Sequence, residues 1–145
     1  MKAIVIYESL TGNTRTAGHL IADELTRSGV ETLACPIDEV QLQALSEADL
    51  VIVGSWVDGL FLFGQRPGRV GRLATLPVID GKLAAVYCTY AVQAGKTLDK
   101  LAGIVTRRGG DVVGGFPIKR NNLSGGAMEF VDRLLGAVDT ESSSA

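Results

Sequence analysis

The turn at residues 9–14, with the sequence Ser-Leu-Thr-Gly-Asn-Thr, constrains the fold of this chain more than any other segment. An apolar run rich in β-branched residues precedes it at residues 2–6, and apolar residues at helical spacing follow it over residues 15–28. This pattern predicts a buried strand that turns directly into a helix. The first backbone N–H groups of a helix lack intrahelical acceptors, and the helix dipole favours negative charge there.

The turn is also rich in side chains that can donate hydrogen bonds to an anion. Hydroxyl or amide groups occur at Ser9, Thr11, Asn13 and Thr14. Gly12 lets the backbone bend and approach a ligand closely. A well-capped helix is the alternative interpretation, since Ser, Thr and Asn are ordinary N-cap residues. So many donors around one glycine exceed the needs of a single cap, and the pattern therefore favours a bound phosphate. It matches neither a Walker A loop nor the dinucleotide fingerprint.

The composition indicates one globular domain without an extreme charge. The 145 residues are 46% hydrophobic and 21% charged, which is sufficient for a core of ordinary size. The formal net charge of −2 argues against a nucleic-acid partner. No apolar run is long enough to span a membrane. The chain begins directly with a strand pattern, so we expect no signal peptide.

Cysteine and histidine usage excludes several kinds of site. Cys35 and Cys88 form no C-x-x-C motif, so we expect them to be reduced in a cytoplasmic protein. His19 is the single histidine of the chain. A metal site or a histidine-based catalytic triad is therefore not expected.

Strand and helix patterns alternate along the chain. Strands are predicted at residues 3–7, 30–35, 50–54, 83–87 and 111–116, and helices at residues 15–28, 36–45, 67–76, 97–108 and 124–138. This alternation predicts an α/β fold, a parallel sheet with helices on both faces. The turn after the first strand favours the doubly wound order 2-1-3-4-5. Residues 1–139 are predicted to form a single domain, and the polar residues 140–145 a disordered tail.

In this order the carboxyl ends of strands one, three and four meet at one edge of the sheet, where ligands bind. The loops at this edge are residues 8–14, 55–66 and 89–95. Trp56 and Tyr90 each come just after a strand, where a flat ring could stack on an aromatic ligand. The alternatives are that Trp56 only covers the end of the sheet and that Tyr90 is an ordinary half-exposed tyrosine.

Residues 9–14 closely resemble the phosphate loop of the flavodoxins, whose pattern is Ser/Thr-x-Thr-Gly-Asn-Thr after the first strand. Trp56 and Tyr90 are similar to the aromatic residues that flank the flavin ring in that family. The resemblance extends over nearly the whole chain and is closest to the short-chain flavodoxins. It implies a flavodoxin-like fold that binds flavin mononucleotide (FMN), with no catalytic residue and no metal. The cofactor-binding residues that it implies are Ser9, Leu10, Thr11, Gly12, Asn13, Thr14, Ser55, Trp56, Val57, Asp58, Gly59, Thr89, Tyr90 and Ala91.

The resemblance implies an electron carrier rather than an independent enzyme. Its partners would be redox proteins, a reductase and an acceptor, and a monomer is favoured. Two alternatives remain open. One is a small FMN oxidoreductase that acts on a quinone or porphyrinogen-type acceptor. The other is a flavin-free member that uses the same crevice to bind a protein.

Several residues depart from the family pattern or admit two interpretations. Val57 stands where several flavodoxins have glycine. Asp58 is either a turn residue or a carboxylate beside the ring. Arg66, Arg69 and Arg72 form either a solvated helix face or a docking surface for an acidic partner or a nucleotide phosphate. The apolar residues 61–63 either cover the sheet edge or form a contact patch.

Overall fold

The computed structural model describes residues 1–58, 66–68 and 70–144, apart from the side chains of residues 58, 66, 70 and 140–144. The strands are β1 (Lys2–Tyr7), β2 (Glu31–Pro36), β3 (Leu50–Asp58), β4 (Arg66–Pro67), β5 (Leu83–Tyr90) and β6 (Asp111–Lys119). The helices are α1 (Asn13–Arg27), α2 (Leu42–Glu47), α3 (Val70–Leu73), α4 (Thr97–Arg107) and α5 (Leu123–Ser144), with a 3-10 turn at Ile37–Glu39.

Five of the strands form a parallel sheet in the order β2-β1-β3-β5-β6. Counted along the chain without β4, this is the predicted order 2-1-3-4-5, which is confirmed. The strand order reverses between β1 and β3, where Val5 pairs with Ile52. The turn at residues 9–14 follows β1 and therefore lies at this switch point, where open α/β sheets bind their ligands.

Alternating side chains of the strands build a core on each face of the sheet. Val5 and Ile52 face α1 and α5, whereas Ile4 and Val51 face the elements around α2, α3 and α4. Burial on both faces explains why these strands are apolar throughout rather than at alternate positions. Among the described residues, no helix is both long and apolar enough to cross a membrane.

The third strand is longer than its sequence indicates. β3 continues to Asp58, so the prediction of a loop from residue 55 is wrong for residues 55–58. Trp56 pairs with Thr89 of β5, and Val57 pairs with Pro67 of the short antiparallel strand β4. The prediction that Pro67 opens a helix is also wrong, because that residue lies in β4 and α3 begins at Val70.

Two strand ends and two helices also differ from the predicted boundaries. β5 runs to Tyr90 and β6 to Lys119, beyond their predicted ends, because the two strands stay in register as far as the Tyr90–Lys119 pair. The predicted helix at residues 36–45 is instead a 3-10 turn followed by α2. Helix α5 extends through Ser144, so it includes residues 140–144 of the predicted tail. The division at residue 139 stays a prediction.

The Tyr87 ring lies between the sheet and α1 because two glycines leave room for it. Tyr87 pairs with Gly54 of the neighbouring strand, and its ring occupies the space where a Gly54 side chain would be. A Cβ atom on Gly54 would lie 2.0 Å from the ring. A Cβ atom on Gly18 of α1 would lie 2.7 Å from the Tyr87 hydroxyl. Helix α1 thus packs close to the sheet directly over this tyrosine.

We predict that Gly54→Ala lowers the free energy of unfolding by about 1–3 kcal/mol, because the new methyl group overpacks the core against Tyr87. Gly114→Ala is the matched control, since a Cβ atom on this glycine of β6 meets nothing within 4 Å. Urea unfolding of both variants measures the difference. Equal stability of the two variants would contradict the packing described for Tyr87.

Candidate functional site

The turn between β1 and α1 depends on one glycine, whose backbone has a positive φ. Gly12 is the N-cap of α1 and has φ 100°, a left-handed conformation that glycine adopts without strain. Nothing lies within 4 Å of the position where a Gly12 Cβ atom would stand. The helix begins at Asn13, earlier than the predicted residue 15, so the polar end of the turn is already its first helical turn.

The backbone N–H groups of this turn are mostly unused. In the part of the chain that the structure describes, the N–H groups of Leu10, Thr11, Asn13 and Thr14 donate no hydrogen bond. The Ser9 hydroxyl oxygen accepts hydrogen bonds from the N–H groups of Gly12 at 3.2 Å and Arg15 at 3.3 Å. Because both are donated to its oxygen, the Ser9 hydroxyl keeps its own proton for another acceptor. Such a concentration of free donors at a helix start fits an anion.

Two side chains of β5 bind the start of α1 and hold it against the sheet. The Tyr87 hydroxyl donates a hydrogen bond of 2.9 Å to the backbone carbonyl of Thr14. The Thr14 and Thr89 hydroxyls are 2.7 Å apart and share one hydrogen bond, so one of them keeps its proton for another acceptor. Burial raises the pKa of Tyr87 well above its ordinary value, so this tyrosine remains a protonated donor in neutral solution.

A cavity of 180 Å³ joins this turn to the ends of β3 and β5. Its lining unites eight of the predicted cofactor-binding residues with one that was not predicted: Leu10, Thr11, Asn13, Trp56, Val57, Thr89, Tyr90, Ala91 and Arg120. Trp56 and Tyr90 are both half-buried. The three predicted segments therefore do converge, and the aromatic pair lies at the same crevice as the free N–H groups.

The indole of Trp56 is supported on one side by the backbone of Gly68. A Cβ atom on Gly68 would lie 1.9 Å from the indole ring, so only a glycine lets the chain pass this close. Gly68 N–H donates to the Trp56 carbonyl at 2.9 Å, and the Ser55 hydroxyl donates to the Gly68 carbonyl at 3.0 Å. These bonds tie the segment of β4 to β3 and limit the movement of the indole.

Some predicted residues are not placed at the crevice. Ser55 is fully buried and is not among the residues that line the cavity, because its hydroxyl binds Gly68. The backbone of Asp58 ends β3, but its side chain lies outside the described residues. Gly59, residues 61–63 and Arg69 also lie outside them, so the predictions made for these residues stay predictions.

A larger cavity of 430 Å³ lies on the other side of the turn, towards the end of β2. Its lining carries charges of both signs: Arg15, Arg72, Glu8, Asp38 and Glu39. Glu8 is 3% exposed, and the Arg72 guanidinium lies 3.5 Å from its carboxylate. Arg72 is thus engaged with the first residue after β1 rather than forming a purely solvated face.

Three residues of the site were not assigned to it from the sequence. Arg120 lies four residues beyond the predicted end of the last strand at residue 116, so the predicted strand does not bring it to the crevice. Tyr87 carried no signal in the sequence beyond its place in a strand. Gly68 follows Pro67 in what was read as a helix start. The signal that could have found Gly68 is the Pro-Gly pair, which marks turns rather than helices.

The described residues offer no competing metal or thiol site. They contain no group of three or more potential metal ligands. Cys35 and Cys88 are free thiols, and burial raises the pKa of Cys88 to about 12. A thiol with such a pKa is almost entirely protonated near neutral pH and is a poor nucleophile.

Comparison with known proteins agrees with this geometry. Residues 4–97 match the family model described as "Flavodoxin domain", which is well over half of the chain. The match includes the turn, β3 and the end of β5. No curated protein sequence matches the chain.

Solved structures of flavodoxins share the fold. A mutant flavodoxin from Pseudomonas aeruginosa superposes with a TM-score of 0.72 at 14% identity, covering 96% of this chain and 99% of that one. An oxidised flavodoxin from Bacillus cereus gives 0.64 at 22% identity, covering 91% and 98%. A flavodoxin from the domain Archaea gives 0.65 at 21% identity, covering 92% and 98%. At these identities the likeness concerns the fold.

We predict that Gly68→Ala displaces the indole of Trp56, because the added methyl group would overlap the ring. Trp56 is the single tryptophan of the chain, so its fluorescence emission reports the change without interference from another indole. Gly71→Ala serves as the control, because a Cβ atom there meets nothing within 4 Å. Identical spectra for Gly68→Ala and the wild type would contradict this packing.

Proposed function

The chain belongs to the flavodoxin family, and on that premise we propose that it binds FMN and carries electrons between partner proteins. The observation that carries the proposal is the set of backbone N–H groups without protein acceptors at Leu10, Thr11, Asn13 and Thr14. A helix start with free donors suits a phosphate group, and FMN has one.

The residues of the crevice fit the remaining parts of the cofactor. The N–H groups of the turn, with the hydroxyls of Ser9 and Thr11 and the amide of Asn13, would hold the phosphate. Trp56 and Tyr90 line the adjoining cavity, where the flavin ring would lie between aromatic faces. When bound, FMN supplies the electron chemistry, while the chain supplies binding, orientation and partial exclusion of water.

The proposed role as an electron carrier is supported by the kinds of residue that line the crevice. The described lining of the crevice contains no carboxylate, histidine or thiol that could exchange a proton with a substrate. A site of this kind suits electron transfer at an exposed ring edge, which needs contact between two proteins rather than a substrate pocket. The free cysteines are compatible with the reducing cytoplasm as the place where these partners meet.

We predict that the purified protein binds FMN with a change in the visible flavin spectrum, and that the complex survives gel filtration. Thr11→Ala and Asn13→Ala should each weaken binding by about 10- to 150-fold, since a hydrogen bond to a charged group contributes about 1.5–3 kcal/mol. Thr16→Ala is the control, because this exposed residue of α1 does not line the cavity.

Riboflavin, which lacks the phosphate, separates the two parts of the proposed site. We expect it to bind more weakly than FMN and to be nearly insensitive to Thr11→Ala and Asn13→Ala. Failure of the wild-type protein to bind FMN in excess would refute the proposal. Unaided oxidation of NADPH or NADH with a quinone would instead indicate an enzyme, because a carrier needs a separate reductase.

A further inference from the structure

Arg120 places a positive charge at the rim of the proposed flavin site. It directly follows β6, and its backbone N–H donates a hydrogen bond of 2.9 Å to the carbonyl of Tyr90. The residue lines the 180 Å³ cavity together with Trp56 and Tyr90. The main chain of Arg120 is therefore held in place, because the extended pairing of β5 with β6 brings it beside the ring-binding residues.

Arg120 is the one charged residue among the described residues that line this cavity. Within the same described part of the chain, its guanidinium forms no ion pair. The neighbouring Lys119 is exposed but does not line the cavity. The larger cavity differs, since its lining contains carboxylates and its Arg72 lies 3.5 Å from the Glu8 carboxylate. The charge of Arg120 thus acts on the crevice without a described counter-charge.

We propose that Arg120 tunes the reduction potential of the site by favouring the reduced flavin over the oxidised flavin. The inference rests on the proposed function, FMN binding. Two-electron reduction adds two electrons and one proton to the neutral oxidised ring and leaves one negative charge on it. A cation at the rim stabilises that charge and has little effect on the neutral ring. Arg120 therefore tightens binding of reduced FMN and raises the midpoint potential.

The expected effect is modest because Arg120 is exposed to water. Two unit charges 4 Å apart interact in bulk water with about 1 kcal/mol, which is roughly fivefold in a binding constant. We therefore expect Arg120→Gln to change the ratio of the dissociation constants of reduced and oxidised FMN by about three- to tenfold. For a two-electron couple a tenfold change corresponds to about 30 mV.

The experiment combines reductive titration with flavin binding. The FMN complexes of the wild type, Arg120→Gln, Arg120→Lys and Lys119→Gln are titrated with dithionite beside a reference dye. Arg120→Gln should lower the midpoint potential, and the shift should shrink in high salt because the charge is screened. Arg120→Lys should keep most of the wild-type potential. Lys119→Gln removes an equal charge just outside the cavity and should have the smaller effect.

Binding of FMN and riboflavin to the same variants distinguishes the possible failures. Weaker FMN binding by Arg120→Gln, with unchanged riboflavin binding and midpoint potential, would overturn the inference, because Arg120 would then hold the phosphate. An unchanged potential with unchanged binding, or equal shifts from Arg120→Gln and Lys119→Gln, would also overturn it. If the wild-type protein binds no flavin, the proposed function fails and this inference fails with it.

Discussion

The hydrogen bond from the Tyr87 hydroxyl to the Thr14 carbonyl is the contact on which the proposed site depends. It joins strand β5 to the first turn of α1, and it exists because glycines at positions 54 and 18 leave room for the ring. Beside it, the Thr14–Thr89 hydroxyl contact joins the same two elements. The start of α1 is therefore held by the sheet as well as by the Ser9 oxygen, because its N-cap, Gly12, has no side chain that could cap the helix.

This arrangement has a direct consequence for ligand binding. In an ordinary helix start, a capping oxygen would occupy one of the first N–H groups. Here the Ser9 oxygen takes that place at Arg15, the third residue of α1, and also accepts from Gly12, so the N–H groups of Asn13 and Thr14 remain available. Donors fixed in this way require little reorganisation when an anion binds, and preorganisation of this kind increases affinity. The N–H groups of Leu10, Thr11, Asn13 and Thr14 are thus kept free by contacts that β5 makes with the start of α1.

On the side of the crevice that would hold the flavin ring, a glycine again lets the backbone lie close to an aromatic side chain. Gly68 lies against the indole of Trp56, and the bonded Ser55–Gly68 pair holds the short strand β4 in place. Val57 pairs with Pro67, so its backbone is extended and held within a strand pair. A valine in such a pair resists rotation to positive φ more strongly than a glycine would. The crevice consequently combines fixed aromatic walls with one unpaired cation at its described rim.

The sequence predicts the parts of this site that depend on local pattern. Residues 9–14, the strand order and the positions of Trp56 and Tyr90 all follow from short-range composition and spacing. What the sequence does not predict depends on pairing between distant segments. Arg120 reaches the crevice because β6 stays paired with β5 as far as Lys119. Gly68 contacts Trp56 although the two residues are twelve positions apart in the sequence. The Pro67-Gly68 pair signals a turn, but no local pattern shows that Gly68 contacts Trp56 or that Arg120 reaches the crevice, because each contact depends on which strand ends lie side by side.

The measurement that tests the account most directly is the response of the backbone amides to ligand, observed by ¹⁵N-resolved NMR spectroscopy. The account predicts that the amide signals of Leu10, Thr11, Asn13 and Thr14 move downfield on addition of FMN, because their N–H groups acquire a charged acceptor. Riboflavin should perturb Trp56 and Tyr90 while leaving those amides nearly unchanged. Amide shifts of equal size with both ligands, or shifts confined to the larger cavity around Glu8 and Arg72, would contradict it.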